Sequence, residues 1–338
     1  MDESKREELT DSGYSWNFLW YALPAAFILL VGYQSCRKNK NYNSNLEAGI
    51  PPGVNLYSQP ISSATAKEKI AVISIQGEIS PKNNMVEITI AKLKSAATDP
   101  DIKAVILKIE SPGGDVNSTN LIWNEINKLK TSKKPVIAFF NYIAASGAYY
   151  ISAPADKIVS TPETWTGSIG VIFQSLNLYG LTEKLGVKMM TIKSAANKDM
   201  LSPYRQPEPE GEKIMQALVN ESYDAFVGVV SQGRKMNEVK VRKLADGRIY
   251  SARQAKENGL VDEIGYFEDA VKLAKQLSKS EEASVVEIQE RISFSGLFFN
   301  QFLTKNDSPP LKSMEKLLPK SGLYYIDPAL LIMYQSNH

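Results

Sequence analysis

The sequence predicts an α/β domain built on a mostly parallel sheet with surrounding helices, tethered by one N-terminal transmembrane helix. Three features carry that expectation. From residue 70 onward, β-branched apolar runs alternate with stretches of helical periodicity, the pattern that feeds a parallel sheet. Several of these runs end beside turns rich in Gly and Ser. An uncharged segment of 18 residues, Trp16 to Tyr33, lies close to the N-terminus.

Residues 1–15 form an acidic tail of net charge −3. Segment 16–33 is near the lower limit for crossing a hydrocarbon core, where about 20 apolar residues are usual. Tyr14, Trp16, Trp20, Tyr21 and Tyr33 stand where interfacial aromatics belong. No small-x-small pattern follows cleanly, and the residues before Cys36 match a lipoprotein site poorly, so the segment reads as an uncleaved anchor. Residues 34–67, rich in Asn, Pro and Ser, read as a linker.

The main domain is expected over 68–279. Ile70 to Ile75 is a β-branched strand that stops before Gly77. Met85 to Ala97 has helical spacing. Ala104 to Ile109 is a second strand and runs into Ser111-Pro112-Gly113-Gly114. Asn117 to Leu129 puts Leu121, Ile122, Ile126 and Leu129 on one helical face. Pro135 to Phe140 is a third strand, followed by Ala144-Ala145-Ser146-Gly147-Ala148-Tyr149-Tyr150. Short strands are expected at Ile169–Phe173 and Met189–Ile192, around a helix near Leu178–Leu185. Lys193 to Pro209 is a long polar loop, a class that often carries function. Helices follow at Glu210–Gln232, Val239–Ala245, Ala252–Asn258 and Phe267–Leu277. Residues 280–338 form an extension whose apolar clusters suit core or subunit contacts. With no internal repeat, one catalytic unit per chain is expected.

Composition narrows the chemistry. The 39 basic and 37 acidic residues leave a net charge of +2 and no basic stripe, which argues against nucleic acid as a partner. One cysteine excludes an internal disulfide. A zinc site is not expected from one Cys and one His, and the sequence calls for no cofactor. That one histidine is His338, the final residue, so a Ser-His-Asp triad lacks its base.

The glycine turns suit a carbonyl. Gly113-Gly114 after a strand lets backbone N–H groups approach a ligand unobstructed, as an oxyanion site requires. The plainer reading is an ordinary strand-to-helix turn. Ser146 stands where a helix begins, and the N–H of Gly147 makes a second donor. The plainer reading there is a helix cap. A serine without histidine needs another base. Lysine serves only when uncharged, and lowering its pKa of about 10.4 by three units costs about 4 kcal/mol, so a site must enforce it. Lys193 and Lys198 lie in a small-residue stretch after an expected strand, and Ser168 of Thr166-Gly167-Ser168-Ile169-Gly170 is placed to hold a neutral amine.

The series SPGG, ASGxYYISAPADKI, TPETxTGSIGVI, IKSxAxKDxxSP and ADGRxYxxRQAxxxGLVDEIG, in that order, resembles the signal peptide peptidase A family in its short bacterial form. The resemblance covers about residues 68–275. It implies a crotonase-like fold shared with the caseinolytic protease, and a membrane-anchored serine endopeptidase with a Ser/Lys dyad. Ser146 then matches the nucleophile, and Lys198, 52 positions later, the general base. Ser168 matches the residue that orients the lysine; Gly114 and Gly147 match the oxyanion donors. Lys193 is the runner-up base. Asp115 and Ala148 depart from the commonest pattern, which bears on substrate preference.

The dyad is expected within one subunit. The resemblance also implies a homo-oligomeric ring or dome, an octamer among the sizes it allows, whose neighbours complete the substrate grooves. Apolar peptides, cleaved signal peptides and envelope proteins are the expected substrates. It implies a catalytic domain outside the cytoplasm, whereas Arg37, Lys38 and Lys40 after the span argue for the reverse. Two alternatives stay open: a crotonase-type acyl-CoA enzyme, and an inactive membrane-tethered scaffold.

Overall fold

The computed structural model describes residues 54–62, 66–292 and 322–326. The expected anchor over 16–33 lies outside the described residues. Among those described, no helix is long and apolar enough to cross a membrane.

Three strands form the centre. β2 (Lys69–Gln76), β3 (Ile102–Ser111) and β5 (Val136–Ala145) pair in parallel, with Val72 beside Ile106 and Ile106 beside Ile137. They read as nearly continuous apolar runs because both faces are covered. Their alternate residues divide between two cores. Ile73, Ile75, Leu107, Ile109, Ala138 and Phe140 face α1 (Met85–Thr98) and α2 (Val116–Thr131), and share a core with Phe226 and Val230. Ile70, Val72, Ala104, Ile106, Ile137 and Phe139 point the other way, toward Ala270 and Ala274 of the C-terminal helix Phe267–Ser278.

The sheet continues outward as β1–β11–β2–β3–β5–β6–β10, where β1 is Val54–Pro60, β6 Lys157–Ser160, β10 Glu263–Ile264 and β11 Ser284–Ile292. β5 changes partner along its length. It pairs with β6 through Phe140, then with β7 (Trp165–Gly167) from Ile143, and β7 continues to β9 (Ile249–Ser251). A second, small sheet runs β4 (Gly113–Asp115), β12 (Gly322–Ile326), β8 (Ile172–Gln174).

The remaining helices are α3 (Gly147–Ser152), α4 (Tyr179–Lys184), α5 (Pro209–Arg234), α6 (Glu238–Leu244), α7 (Ala252–Asn258) and the C-terminal α8. All six residues of α3 are buried. The Tyr149 hydroxyl donates to the Leu260 carbonyl at 2.9 Å, and the Tyr150 ring packs edge-on between Trp123 and Phe226. These contacts explain the paired tyrosines after Ser146.

Two sequence expectations are corrected, and one left open is filled in. The presumed linker contains β1, an edge strand that pairs antiparallel with β11; its mostly exposed, polar side chains hid it. The C-terminal extension, expected to serve as core or subunit contact, supplies β11, which lies between β1 and β2 within the main sheet, and β12. Met189–Ile192 is not a strand: it has no pairing partner among the described residues, and Met190 and Ile192 are 87% and 91% exposed.

Candidate active site

In open parallel sheets the carboxyl ends of the strands face the ligand. Here β3, β5 and β7 end together, and the Ser-Pro-Gly-Gly, Ala-Ser-Gly and Thr-Gly-Ser turns leave from those ends. Thr166 Oγ1 donates to the Ala144 carbonyl at 2.6 Å, stitching β7 to β5 two residues before Ser146.

Ser146 adopts φ 56°, ψ −119°. A side chain in this region costs on the order of 1–3 kcal/mol and persists only where the surroundings impose it. The imposition is visible. Its N–H donates to the Gly167 carbonyl at 2.7 Å, and its carbonyl accepts from Tyr150 N–H at 2.9 Å. Ser146 occupies the cap position of α3, yet its side chain makes no capping bond. The plainer reading of this serine, a helix cap, therefore fails, and the hydroxyl is left to other use. Gly147 opens α3, so its N–H has no partner within the helix.

Gly114 is gripped from one side by Ile79. The Ile79 N–H donates to the Gly113 carbonyl and its carbonyl accepts from Asp115 N–H, both at 2.8 Å. In such a parallel bridge the residue between, Gly114, turns its own N–H and carbonyl away from Ile79. They face β12, where Tyr325 lies opposite Gly114. A Cβ on Gly114 would stand 2.0 Å from the Ile79 carbonyl oxygen, so only glycine fits. Asp115 caps α2 by accepting from Ser118 N–H at 2.7 Å, which gives this departure from the family pattern a structural task.

Gly167 has φ 85°, and a Cβ there would meet the Tyr250 ring at 2.6 Å. Ser168 follows at φ 49°, with its N–H donated to the Arg248 carbonyl at 2.8 Å. The Ala-Asp-Gly-Arg segment thus supports the Ser168 turn through backbone.

The two lysines lie elsewhere. Lys198 stands exposed in a 3₁₀ turn, Ala196–Asp199, and no hydrogen bond or ion pair joins it to Ser146 or Ser168. Lys193 is paired with Asp199 at 2.7 Å and donates to the Ala196 carbonyl at 2.9 Å. Of the sequence candidates, Ser146, Gly147, Gly114 and Ser168 share one end of the sheet, and the lysines do not join them within the single chain.

Sequence reasoning missed β12. Its backbone runs antiparallel between β4 and β8, opposite residues 113–115 on one flank and 172–174 on the other. A cavity of about 620 Å³ adjoins β8, lined by Ile172, Phe173, Met200, Leu201, Met215 and Val219 among others. β4 and β8 thus flank a lane filled by β12, with a cavity of mixed polar and apolar lining beside it, Asn177, Glu208, Glu212 and Gln216 included.

Comparison with known proteins agrees with this geometry. Residues 128–281 match the model of peptidase family S49, and residues 58–166 match that of the Clp protease. The Enterococcus faecium protein assigned as signal peptide peptidase SppA is 43% identical over 238 residues, covering 68% of this chain and 69% of its own. Protease 4 of Haemophilus influenzae is 37% identical over 226 residues, 65% of this chain and 36% of its own. The chloroplastic serine protease SPPA of Arabidopsis thaliana is 34% identical over 220 residues, 62% of this chain and 32% of its own. A Clp-like α/β fold, a parallel sheet whose strand ends present Ser146 and two glycine turns, and this degree of identity place the chain in peptidase family S49, as a member of the signal peptide peptidase A family.

Proposed function

We propose that this chain is a membrane-anchored serine endopeptidase that cuts apolar peptides, remnants of signal peptides among them, with Ser146 as nucleophile and Lys198 as base. One observation carries the reading: Ser146 is held at positive φ with its hydroxyl uncommitted, beside a groove in which an extended strand already lies against Gly114. A peptide recognised by adding a strand gains main-chain hydrogen bonds whatever its sequence, and alternate side chains then select it. The Ile172, Phe173, Met200 and Leu201 part of the cavity beside β8 offers such side chains an apolar wall.

The chemistry follows. The uncharged Lys198 Nζ takes the Ser146 Oγ proton as Oγ bonds to the peptide carbonyl carbon. The Gly114 and Gly147 N–H groups hold the oxyanion. The C–N bond then breaks as the lysine ammonium returns its proton to the leaving nitrogen. Water, deprotonated by the same amine, attacks the acyl ester and releases Ser146.

Lys198 is preferred to Lys193 because Lys193 is engaged as the cation of an ion pair. Lys198 sits on an arm whose Leu185, Val187, Met189, Met190 and Ile192 are all exposed. Such a stretch is covered when copies assemble. We take the amine to reach the Ser146 of a neighbouring subunit in a homo-oligomeric ring, in place of the same-subunit dyad expected from sequence. Ser168 steadies it there. The anchor at 16–33 holds the ring at the membrane, catalytic domain outside the cytoplasm.

The test uses the full chain in detergent. A fluorophosphonate labels wild type and not Ser146→Ala; apolar-peptide cleavage disappears in Ser146→Ala, falls to a small residual rate in Lys198→Ala and survives, reduced, in Lys193→Ala. Co-expressed Ser146→Ala and Lys198→Ala chains recover cleavage, since mixed neighbours rebuild intact dyads. Cleavage by Ser146→Ala alone would refute the peptidase assignment of this residue, and no recovery on mixing would refute the shared dyad.

A further inference from the structure

The stretch from Lys193 to Glu208 bears the proposed base, yet its 3₁₀ turn buries no side chain. Apolar packing does not fix that turn. Charge does. The Asp199 Oδ1 atom lies 2.7 Å from Lys193 Nζ and 3.5 Å from Arg205 Nη1. Arg205 Nη1 also reaches Glu208 Oε1 at 2.8 Å, and Glu208 is the residue from which the 26-residue helix α5 starts. Lys193 Nζ closes the other end on the Ala196 carbonyl at 2.9 Å. The chain of contacts thus runs from the arm, through Asp199, to the base of a long helix.

Asp199 is the centre of this network and its least exposed member, with 15% of its side chain accessible. The hydrogen bond from Lys193, aided by the Arg205 charge, holds its carboxyl below the usual carboxylate range. Arg205 keeps Nε and Nη2 enclosed without an acceptor, a desolvation that an ordinary surface arginine avoids.

Successive residues of a 3₁₀ turn project about 120° apart. Asp199, drawn inward by two cations, therefore turns its predecessor Lys198 outward, as observed.

We infer that Asp199, clamped by Lys193 and Arg205, is a positioning residue that sets the direction of Lys198. This rests on Lys198 being the base, and the experiment separates the two. In the full-length enzyme, Asp199→Asn is expected to lower kcat roughly tenfold or more with KM nearly unchanged, because small misplacements of a reacting group cost that much. Arg205→Gln gives a similar loss, and Asp199→Asn with Arg205→Gln falls little further, as members of one unit do. In a Lys198→Ala background, Asp199→Asn has no further effect on the residual rate. A general structural role would lower that residual rate as well, and this outcome would overturn the inference. So would Asp199→Asn and Arg205→Gln both turning over within twofold of wild type while Lys198→Ala falls to its residual rate. Turnover by Lys198→Ala at the wild-type rate would instead overturn the base assignment itself.

Discussion

Replacing Gly114 by alanine tests the oxyanion reading most directly. The added Cβ would stand 2.0 Å from the Ile79 carbonyl oxygen. Non-bonded carbon and oxygen need well over 3 Å, so β4 or the Ile79 segment must yield by roughly 1 Å. Ile79 is fully buried and holds both neighbours of Gly114 at 2.8 Å, so the strain falls on the strand that carries the donor. An oxyanion donor works in a window of about 2.7–3.1 Å. A shift of an ångström removes it, and losing one such donor costs roughly a hundred- to a thousandfold in kcat, about 3–4 kcal/mol of transition-state stabilisation. KM should change far less. The assay is steady-state cleavage of an apolar fluorogenic peptide by the full-length protein, with thermal unfolding alongside to confirm folding. A folded Gly114→Ala enzyme retaining kcat within threefold of wild type would refute the assignment of Gly114 as a donor.

Ser146→Gly should abolish cleavage and at the same time stabilise the fold by about 1 kcal/mol, because glycine occupies positive φ without strain; unfolding in denaturant reads the gain. Ending the chain before Gly322 should raise kcat/KM by up to about tenfold, since β12 competes with substrate for β4 and β8. Three paired positions on each flank at about 1 kcal/mol apiece roughly balance the ordering of five residues at 1–2 kcal/mol each, so a substrate strand can displace it; an unchanged kcat/KM would count against competition. The Asp199 pairing should persist well into acid. Its folded carboxyl lies below the unfolded value, so its stabilising contribution is present at neutral pH and is lost only as pH falls through that depressed value; a carboxyl NMR titration with its midpoint at or above about 3.9 would contradict this.

The sequence made the centre of this fold legible because central strands buried on both faces have little freedom in composition. Ile70–Ile75, Ala104–Ile109 and Pro135–Phe140 all lie in or beside strands of the main sheet, and the helix expected at 252–258 has those same limits. The Gly and Ser turns were legible because positive φ and backbone contact leave few residue choices, as Gly114 and Gly167 demonstrate. Edges were not. β1 shows water most of its side chains, so its pattern carries no apolar alternation. The apolar run at Met189–Ile192 resembles a strand in composition, but a strand needs a partner and none pairs with it among the described residues. The pairing of residues 322–326 with 113–115 spans more than 200 positions and leaves no local trace. Nor does spacing alone reveal that Lys193 is tied to Asp199 and Lys198 is not.

The position of β11 bears on how the protein can be divided. A fragment cut at residue 279, the domain end expected from sequence, would lack the strand beside β2 and leave β1 nothing to pair with. It would also lose Glu287 as acceptor for the Ser74 hydroxyl and Glu290 as counter-ion for the buried Lys92. The bared flank of β2 is a template for adding strands from other molecules, so such a fragment should clump rather than stay dispersed. The smallest piece that keeps this flank closed reaches at least from Val54 to Ile292.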